Sequence, residues 1–411
     1  MFLHIPTTNM YHQHYGVSSA LATSGDDTIT TIPDIFDWLN DTFVPQVFVT
    51  TDYNGAALPE DQWGRISTFN KVLGAVLFEV TYMQSGECDT PDFLADLYSS
   101  CYDPSTTTTD KFLISINTNA STAAELLTEK KDSGTWLDSS TQQMVVTVIT
   151  LNAQLPGYAV TKLQFDFNDG GYVESSASTT STLLDQYPSA TPIVLDALVL
   201  AKHTAKAIGV WAFPDGWFAI DFFRGPIVYL FYITVLITQA VTVNSDFKRK
   251  LVALGNGGQT DSEASEMLAS VTKSFRLIAS LTVLLRLFAT AAVLVLGLRI
   301  LNTFRDHVGL SILTRTMVSA VHSFWTFSVI FAVVFVAFAA AGNVLFGDRV
   351  QDFSSLLNAM KSCVNMIYGD FDFDSIKDID YSVVYYWSYM AMETFVLLNI
   401  VLAIVVDAYQ E

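Results

Sequence analysis

A short acidic loop between two long apolar segments constrains this 411-residue chain more than any other feature. Residues 317–347 contain no Asp, Glu, Lys or Arg, and residues 382–406 contain only Glu393. About 20 consecutive apolar residues are enough for a helix to cross a bilayer. Loop backbone at membrane depth is tolerated only where it is buried in protein or faces water. The pattern therefore predicts an ion-pore hairpin in a membrane protein.

Charge and hydropathy divide the chain near residue 190. Residues 1–190 hold 23 of the 41 acidic residues but only 6 of the 21 basic ones, and the remaining residues hold nearly all the long apolar runs. We expect a soluble domain followed by a membrane bundle. The acidic balance excludes nucleic acid as a partner. The sequence has no nucleophile–base set and no phosphate loop, so we expect neither an enzyme nor a cofactor.

The acidic half has the pattern of an α+β domain. Alternating apolar residues predict strands, a Thr31/Pro33 start predicts one helix, and a Ser cap with alanine and leucine predicts another. Two Ser/Thr-rich stretches are expected to be loops. The predicted strands are 143–151, 159–167 and 112–116, the helices 33–39 and 121–130, and the loops 106–109 and 175–182.

Two cysteines and two sequons indicate an exported domain. Cys88 and Cys101 lie thirteen residues apart among Gly, Asp, Pro and Thr, which favours a disulfide, with two free thiols as the alternative. Asn40 and Asn119 begin Asn-X-Ser/Thr triplets that fit glycosylation.

The start of the chain predicts two further properties. It shows no signal peptide, so we expect an upstream membrane segment that this sequence lacks. His4, His12 and His14 cluster near the start. They suggest a metal site, but without paired cysteines or HxxxH spacing a surface cluster is favoured.

The second half contains four membrane-length segments and one mixed segment. Arg286 and Arg299 lie in the second of the four. The mixed segment carries Asp196 and two lysines, so it is either a shortened span or an interfacial helix. The four are 225–245, 277–301, 317–347 and 382–407, and the mixed segment is 191–213.

Within the hairpin, residues 353–367 have the spacing of a short re-entrant helix that points at Tyr368, Gly369 and Asp370. The C-terminal end of a helix carries partial negative charge, which favours a cation. Four copies of Asp370 would form an acidic ring, and such oxygen ligands suit a permeating Ca²⁺. Asp372 and Asp374 extend this charge to an outer mouth. The alternative is a plain turn between two helices.

These motifs together resemble the polycystin branch of the transient receptor potential cation channels. In the first half the resemblance rests on Trp136-Leu137-Asp138, Gly170-Gly171 and the Cys88/Cys101 pair. In the second half it rests on Leu345-Phe346-Gly347, Gly369-Asp370-Phe371, Leu398-Asn399 and Leu402-Ala403-Ile404.

The resemblance implies an α-helical membrane channel, with a voltage-sensor-like bundle plus pore helices and an α+β extracellular polycystin (TOP) domain. It implies a homotetramer, or a hetero-tetramer with related polycystins, that conducts cations including Ca²⁺ in a ciliary, flagellar or plasma membrane. The corresponding domains are residues 1–190 outside the membrane, 191–315 as a partial voltage-sensor-like domain, and 316–411 as the pore domain.

The same resemblance assigns individual residues. It places the lower gate near Leu402 and Val406, where apolar rings would exclude water. It makes Arg299 a voltage-sensor-like charge, for which Asp196 and Asp221 are candidate counter-charges. The family usually has Leu where this chain has Tyr368, which puts ion selectivity in question.

Two other functions fit the same motifs. The chain could be a membrane anchor or receptor-like polycystin subunit that conducts little, whose extracellular domain holds a matrix or flagellar filament protein. A mucolipin-like endolysosomal channel is a third option, but Tyr368-Gly369-Asp370 and the Trp136 motif fit the polycystin pattern better.

Overall fold

The computed structural model of this chain describes residues 4, 7–21, 29–88, 91, 100–183, 185–187, 190–212, 218–256, 261–304, 328–329, 331–371, 373–379, 381–393 and 395. It describes the backbone alone at 203, 205–212, 218–224, 255–256, 261–262, 264–265 and 298–304. The chain forms two compact units, Met1–Val295 and Leu296–Glu411.

The first unit is built on a seven-stranded antiparallel sheet. Five long strands lie in the order β4-β3-β5-β6-β7, so β4 and β7 are the edges, and the short β2 and β1 continue beside β5. The strands are β1 Arg65–Ile66, β2 Asn70–Val72, β3 Ala75–Gly86, β4 Cys101–Ser115, β5 Thr141–Asn152, β6 Gly157–Phe167 and β7 Val173–Leu183.

Four helices precede or interrupt the sheet: α1 Thr7–Ser18, α2 Ile32–Trp38, α3 Val44–Val47 and α4 Ala120–Asp132. The predicted Thr31/Pro33 start of α2 is confirmed as a capping box, in which Thr31 accepts from the Asp34 amide and the Asp34 side chain accepts from the Thr31 amide. For α4 the expected Ser cap is wrong, because Asn119 accepts from the amide of Thr122 at 2.8 Å.

The sheet buries both of its faces because successive side chains of a strand point to opposite sides. On one face Phe78 and Phe165 pack with Trp136 and with helices α2 to α4. On the other face Leu77 and Val160 pack against the helices that follow the sheet. Long, doubly buried strands are the reason that β5 and β6 were predictable from their apolar residues.

The prediction that residues 106–109 and 175–182 are loops is wrong. They lie within β4 and β7, where their backbones pair with β3 and β6. These are the two edge strands, and most of their side chains are exposed, so no apolar alternation marks them. Threonine is β-branched and suits a strand without being apolar.

Four long or amphipathic helices complete the first unit: α5 Ala190–Ala212, α6 Phe218–Val243, α7 Ser245–Asn256 and α8 Asp261–Phe304, which runs on into the second unit. Phe275 of α8 packs edge-on against Tyr158 of the sheet, and Phe247 of α7 packs edge-on against Phe275. Residues 190–295 are thus packed with the sheet in one compact unit, and the finer division into three domains stays a prediction.

Two of the described helices are long and apolar enough to cross a membrane, at Gly225–Val243 and Glu266–Gly297, and a shorter apolar helix covers Phe331–Phe346. The first and third lie within the predicted spans 225–245 and 317–347, whereas Glu266–Gly297 overlaps the predicted span 277–301 and begins eleven residues before it. The fourth predicted span is described as helix over 382–393. A complete voltage-sensor-like bundle is not seen in the residues that the structure describes.

The second unit contains a helical hairpin. Helix α9 covers Phe331–Phe346, a single 3₁₀ turn covers Gln351–Phe353, α10 covers Leu356–Ile367, and α11 covers 382–393. A short helix is therefore present where one is expected at 353–367, and it begins three residues later than predicted; its re-entry into a membrane stays a prediction. Its buried side chains are Ala359, Ser362, Cys363 and Met366.

Candidate functional site

The entry to the hairpin is a turn held by side-chain bonds to backbone. The Asn343 side-chain amide donates to the carbonyl oxygen of Phe353 at 2.6 Å, and the amide of Gly347 donates to the carbonyl oxygen of Asn343 at 2.9 Å. A Cβ on Gly347 would lie 2.4 Å from the Asn343 carbonyl oxygen, so this turn requires glycine. The chain thereby reverses from α9 into the 3₁₀ turn.

The short helix α10 is fixed at its N-terminus. Ser355 is the N-cap, and its hydroxyl oxygen accepts from the Asn358 amide at 3.2 Å. One turn further on, the Ser362 hydroxyl donates to the carbonyl oxygen of Asp352 at 2.8 Å. These bonds tie the first two turns of α10 to the preceding loop.

An aromatic cluster holds α9, α10 and α11 together. The rings of Phe346, Phe353 and Tyr385 contact one another edge-on, with centroids 5.1 to 6.4 Å apart. The Tyr385 hydroxyl donates to the carbonyl oxygen of Phe338 at 2.9 Å. The Tyr389 hydroxyl donates to the carbonyl oxygen of Cys363 at 2.9 Å. The cluster therefore positions α10 from both sides.

The C-terminal end of α10 is a Schellman motif. The Gly369 amide donates to the carbonyl oxygen of Met366 at 3.1 Å, and the Asp370 amide donates to that of Asn365 at 2.9 Å. Gly369 has φ +74°, the left-handed conformation that glycine adopts most easily. The carbonyl oxygens of Asn365 and Met366 therefore accept hydrogen bonds within the chain. They are not among the groups of this helix end that we expect to face an ion.

The three predicted filter residues are together and exposed. Tyr368 is 82% exposed, and Gly369 and Asp370 are also exposed. No described side chain lies within 4 Å of a Cβ placed on Gly369. Asp370 therefore presents its carboxylate to solvent immediately beyond the end of α10, where the helix dipole adds negative charge.

The predicted outer mouth is described in part. Asp374 is exposed, and its carboxylate lies 3.3 Å from the ammonium nitrogen of Lys377. Asp372 lies outside the described residues, as do the predicted gate residues Leu402 and Val406. Their proposed roles stay predictions.

Glu393 is a buried carboxylate on the same face of α11 as Tyr385 and Tyr389, since the three are spaced four residues apart. It is 2% exposed, and neither carboxylate oxygen has a hydrogen-bond partner among the described residues. A buried carboxylate needs a hydrogen-bond partner or water, and the described part of the chain supplies no protein partner for Glu393.

The predicted voltage-sensor residues are only partly described. Asp196 of α5 is buried, and its carboxylate lies 2.7 Å from Nε2 of His4 and accepts from the Tyr187 hydroxyl at 3.0 Å. Burial and this bond raise the pKa of Tyr187 to about 12. Arg299 and Asp221 are described by backbone alone. A pairing of Asp196 or Asp221 with Arg299 stays a prediction.

The expected surface cluster is confirmed for His12 and His14, which are exposed, and is wrong for His4, which is buried. His4 is buried against Asp196, and a ring nitrogen of His14 lies 3.0 Å from the carbonyl oxygen of Thr179. No group of three or more His, Cys, Asp or Glu residues that could hold a metal ion occurs in the part of the chain that the structure describes.

The predicted Cys88–Cys101 disulfide is present and joins the end of β3 to the start of β4. Asn119 is exposed, although its side chain caps α4. Asn40 is half-buried, and its side-chain oxygen lacks a partner among the described residues. Glycosylation at either position stays a prediction.

One ion-pair network was not anticipated from the sequence. Glu79 of β3 binds the guanidinium of Arg276 of α8, and its other oxygen lies 3.2 Å from the ammonium nitrogen of Lys111 of β4. Glu79 and Arg276 are 197 residues apart, so no local pattern could have indicated the contact.

Comparison with known proteins gives consistent results. The family profile described as Polycystin cation channel matches residues 259–411. The chain is 23% identical to polycystin-2 of Caenorhabditis elegans over 290 residues, which cover 67% of this chain and 38% of that protein. It is 35% identical to polycystin-2-like protein 1 of Homo sapiens over 101 residues, 24% of this chain and 12% of that protein. The chain thus spans well under half the length of these relatives.

Proposed function

Because the chain belongs to the polycystin family through residues 259–411, we propose that it is a subunit of a cation channel whose ion pathway passes Tyr368, Gly369 and Asp370. The observation that carries this proposal is the exposed Asp370 carboxylate, held by a Schellman motif at the end of a short helix between two apolar ones. Such a carboxylate would attract cations, and the helix end would add to that attraction.

By resemblance to the polycystins the proposed channel is a tetramer, in which each hairpin provides one carboxylate at this position. Four copies around a shared axis would make a ring of oxygen ligands, which Ca²⁺ accepts readily. Like charges so close would resist full ionisation, so some of the four would bind protons. The pathway proposed on the same resemblance is non-selective and Ca²⁺-permeable, in a homotetramer or in an assembly with related polycystins.

The lower gate of the proposed channel is near Leu402 and Val406. The two are four residues apart and would share one helix face. Apolar rings at these levels would close the pore by excluding water. Replacing Leu402 by Ser should raise the current of the closed channel, and an unchanged closed-state conductance would count against this gate.

The proposed location is a plasma, ciliary or flagellar membrane, with residues 1–190 outside the cell. The Cys88–Cys101 disulfide supports an extracellular position because such bonds persist in oxidising compartments. An extracellular matrix or flagellar filament protein is the partner proposed for a non-conducting anchor, the competing function.

Single-channel recording distinguishes the two functions. Reconstituted wild type should pass Ca²⁺, and Asp370→Asn should lose most of the divalent current. The matched control is Asp348→Asn, which removes an exposed carboxylate from the turn after α9 and should leave the current unchanged. Equal divalent currents in wild type and Asp370→Asn would remove Asp370 from the filter, and no current from wild type would favour the anchor.

A further inference from the structure

A cavity of about 220 Å³ lies where the sheet meets α8, within the first compact unit. Strand β6 contributes Val160 and Lys162, and strand β7 contributes Ser178 and Thr180. Helix α8 contributes Arg276, Ala279, Ser280 and Val283. The cavity is small beside the roughly 300–1,000 Å³ of pockets that bury drug-sized molecules, so it fits one compact polar group.

The charge of this cavity is positive. Lys162 and Arg276 line it, and no carboxylate does so among the described residues. The hydroxyls of Ser178, Thr180 and Ser280 are neutral groups that can donate hydrogen bonds to an anion. Two cations and three hydroxyls around a small volume form a set suited to a phosphate group.

The two cationic side chains are held by the fold. Lys162 is directly opposite Ser178 in the β6–β7 ladder, and Val160 is opposite Thr180, so all four lie on one face of the sheet. Arg276 is bound on its other side by Glu79. A guanidinium has five N–H donors, so donors remain after this contact. Arginine with a free edge binds phosphate oxygens well.

The surface next to the cavity is apolar. Val283 lines the cavity and is 58% exposed, and Leu284 and Leu287 follow one turn later, four residues after Ser280 and Val283. These residues lie in the membrane-length segment Glu266–Gly297. A ligand held by its phosphate in the cavity could therefore lay an acyl chain along this side of α8.

From these observations we propose that the cavity binds a phosphate monoester, and specifically the headgroup of a phospholipid such as phosphatidic acid at the membrane surface. Lys162 and Arg276 bind the phosphate oxygens, the three hydroxyls donate to them, and Val283 with Leu287 contacts the acyl chain. The site is independent of the ion pathway, since it uses no residue of the hairpin.

Native mass spectrometry on the full chain in detergent tests the proposal, with added dioleoyl phosphatidic acid, dioleoyl phosphatidylcholine or inorganic phosphate. Wild type should retain phosphatidic acid in preference to phosphatidylcholine. Lys162→Gln should bind phosphatidic acid about tenfold more weakly, because it loses a charge-assisted hydrogen bond. The matched control is Lys248→Gln, which removes an exposed lysine of α7 that does not line the cavity.

A second variant, at another residue of the cavity, tests the site independently in case Lys162→Gln fails to fold. Ser178→Asp places a carboxylate opposite Lys162 at an exposed position and should weaken phosphatidic acid binding without lowering the melting temperature of the lipid-free protein. If inorganic phosphate at equal concentration displaces the lipid, free phosphate is the ligand and the acyl-chain contact is overturned. Equal phosphatidic acid binding by Lys162→Gln, Ser178→Asp and Lys248→Gln would overturn the site itself.

Discussion

The Tyr389 hydroxyl donates a hydrogen bond of 2.9 Å to the carbonyl oxygen of Cys363, and so joins the last described helix to the backbone of the short helix before the acidic loop. Tyr389 is fully buried, and its ring also contacts Phe338 of α9. One side chain therefore links all three helices of the hairpin. The position of the loop at 368–370 depends on this link.

Tyr389→Phe should loosen α10 without changing the aromatic packing. The variant keeps the ring and loses one buried hydrogen bond, which is worth about 1 kcal/mol. Hydrogen exchange of the amides in Leu356–Ile367 should become severalfold faster. Tyr381→Phe is the control, since Tyr381 is 74% exposed, and it should leave the exchange unchanged. Equal exchange in both variants would show that the bond does not hold α10.

Gly369→Ala should destabilise the end of α10 through the backbone alone. No described atom lies within 4 Å of an added Cβ, but φ is +74°, and the left-handed conformation costs an L-residue about 1–2 kcal/mol. Gly369→Asn should cost less, because Asn is enriched in this conformation. Thermal unfolding should rank wild type above Asn and Asn above Ala. The reverse order of the two variants would contradict the Schellman assignment.

Gly342→Ala should disrupt the aromatic cluster by overpacking. Its Cβ would lie 2.5 Å from the Tyr385 hydroxyl oxygen and 2.9 Å from a ring carbon of Phe353. Overpacking a tight core costs about 1–3 kcal/mol. Gly297→Ala, where an added Cβ meets nothing within 4 Å, should be neutral or slightly stabilising because alanine favours a helix. The melting temperatures of the two variants test this prediction. An equal fall in melting temperature in Gly342→Ala and Gly297→Ala would contradict it.

Tyr158 should make the first unit sensitive to alkaline pH. It is 6% exposed between the sheet and Phe275, and burial raises its pKa to about 12 from the ordinary value of 10. The folded state therefore holds this proton more tightly than the unfolded state. The resulting stability is fully present below pH 10 and is lost as the pH rises from 10 to 12.

Tyr158→Phe tests this dependence because phenylalanine cannot ionise. Melting temperatures at pH 9, 10.5 and 11.5 should fall less steeply in Tyr158→Phe than in wild type. Tyr53→Phe serves as the control, since Tyr53 is 92% exposed, and it should follow wild type at every pH. A Tyr158→Phe curve that parallels wild type would show that folding does not raise the pKa of this hydroxyl.

Features that depend on neighbouring residues were predictable. The capping box at Thr31, the disulfide between Cys88 and Cys101, the buried strands β5 and β6, and the short helix that ends just before Gly369 all show in local spacing. Each of these features depends on residues that are close together in the sequence, within a few helical turns or along a single strand. The edge strand β7 and the part of β4 before residue 112 were missed because their exposed threonines and serines carry no apolar period, whereas the predicted strand 112–116 coincides with the end of β4.

By itself, the sequence determined that an acidic sheet-forming half precedes apolar helices, and that Tyr368, Gly369 and Asp370 end a short helix between two apolar segments. Only the tertiary structure decided that Glu79 binds Arg276, that Asp196 contacts His4, and that Lys162 lies opposite Ser178 beside α8. Helix caps and strand periods are properties of contiguous residues. Contacts between residues far apart in the chain depend instead on strand register and helix packing, which local spacing does not encode.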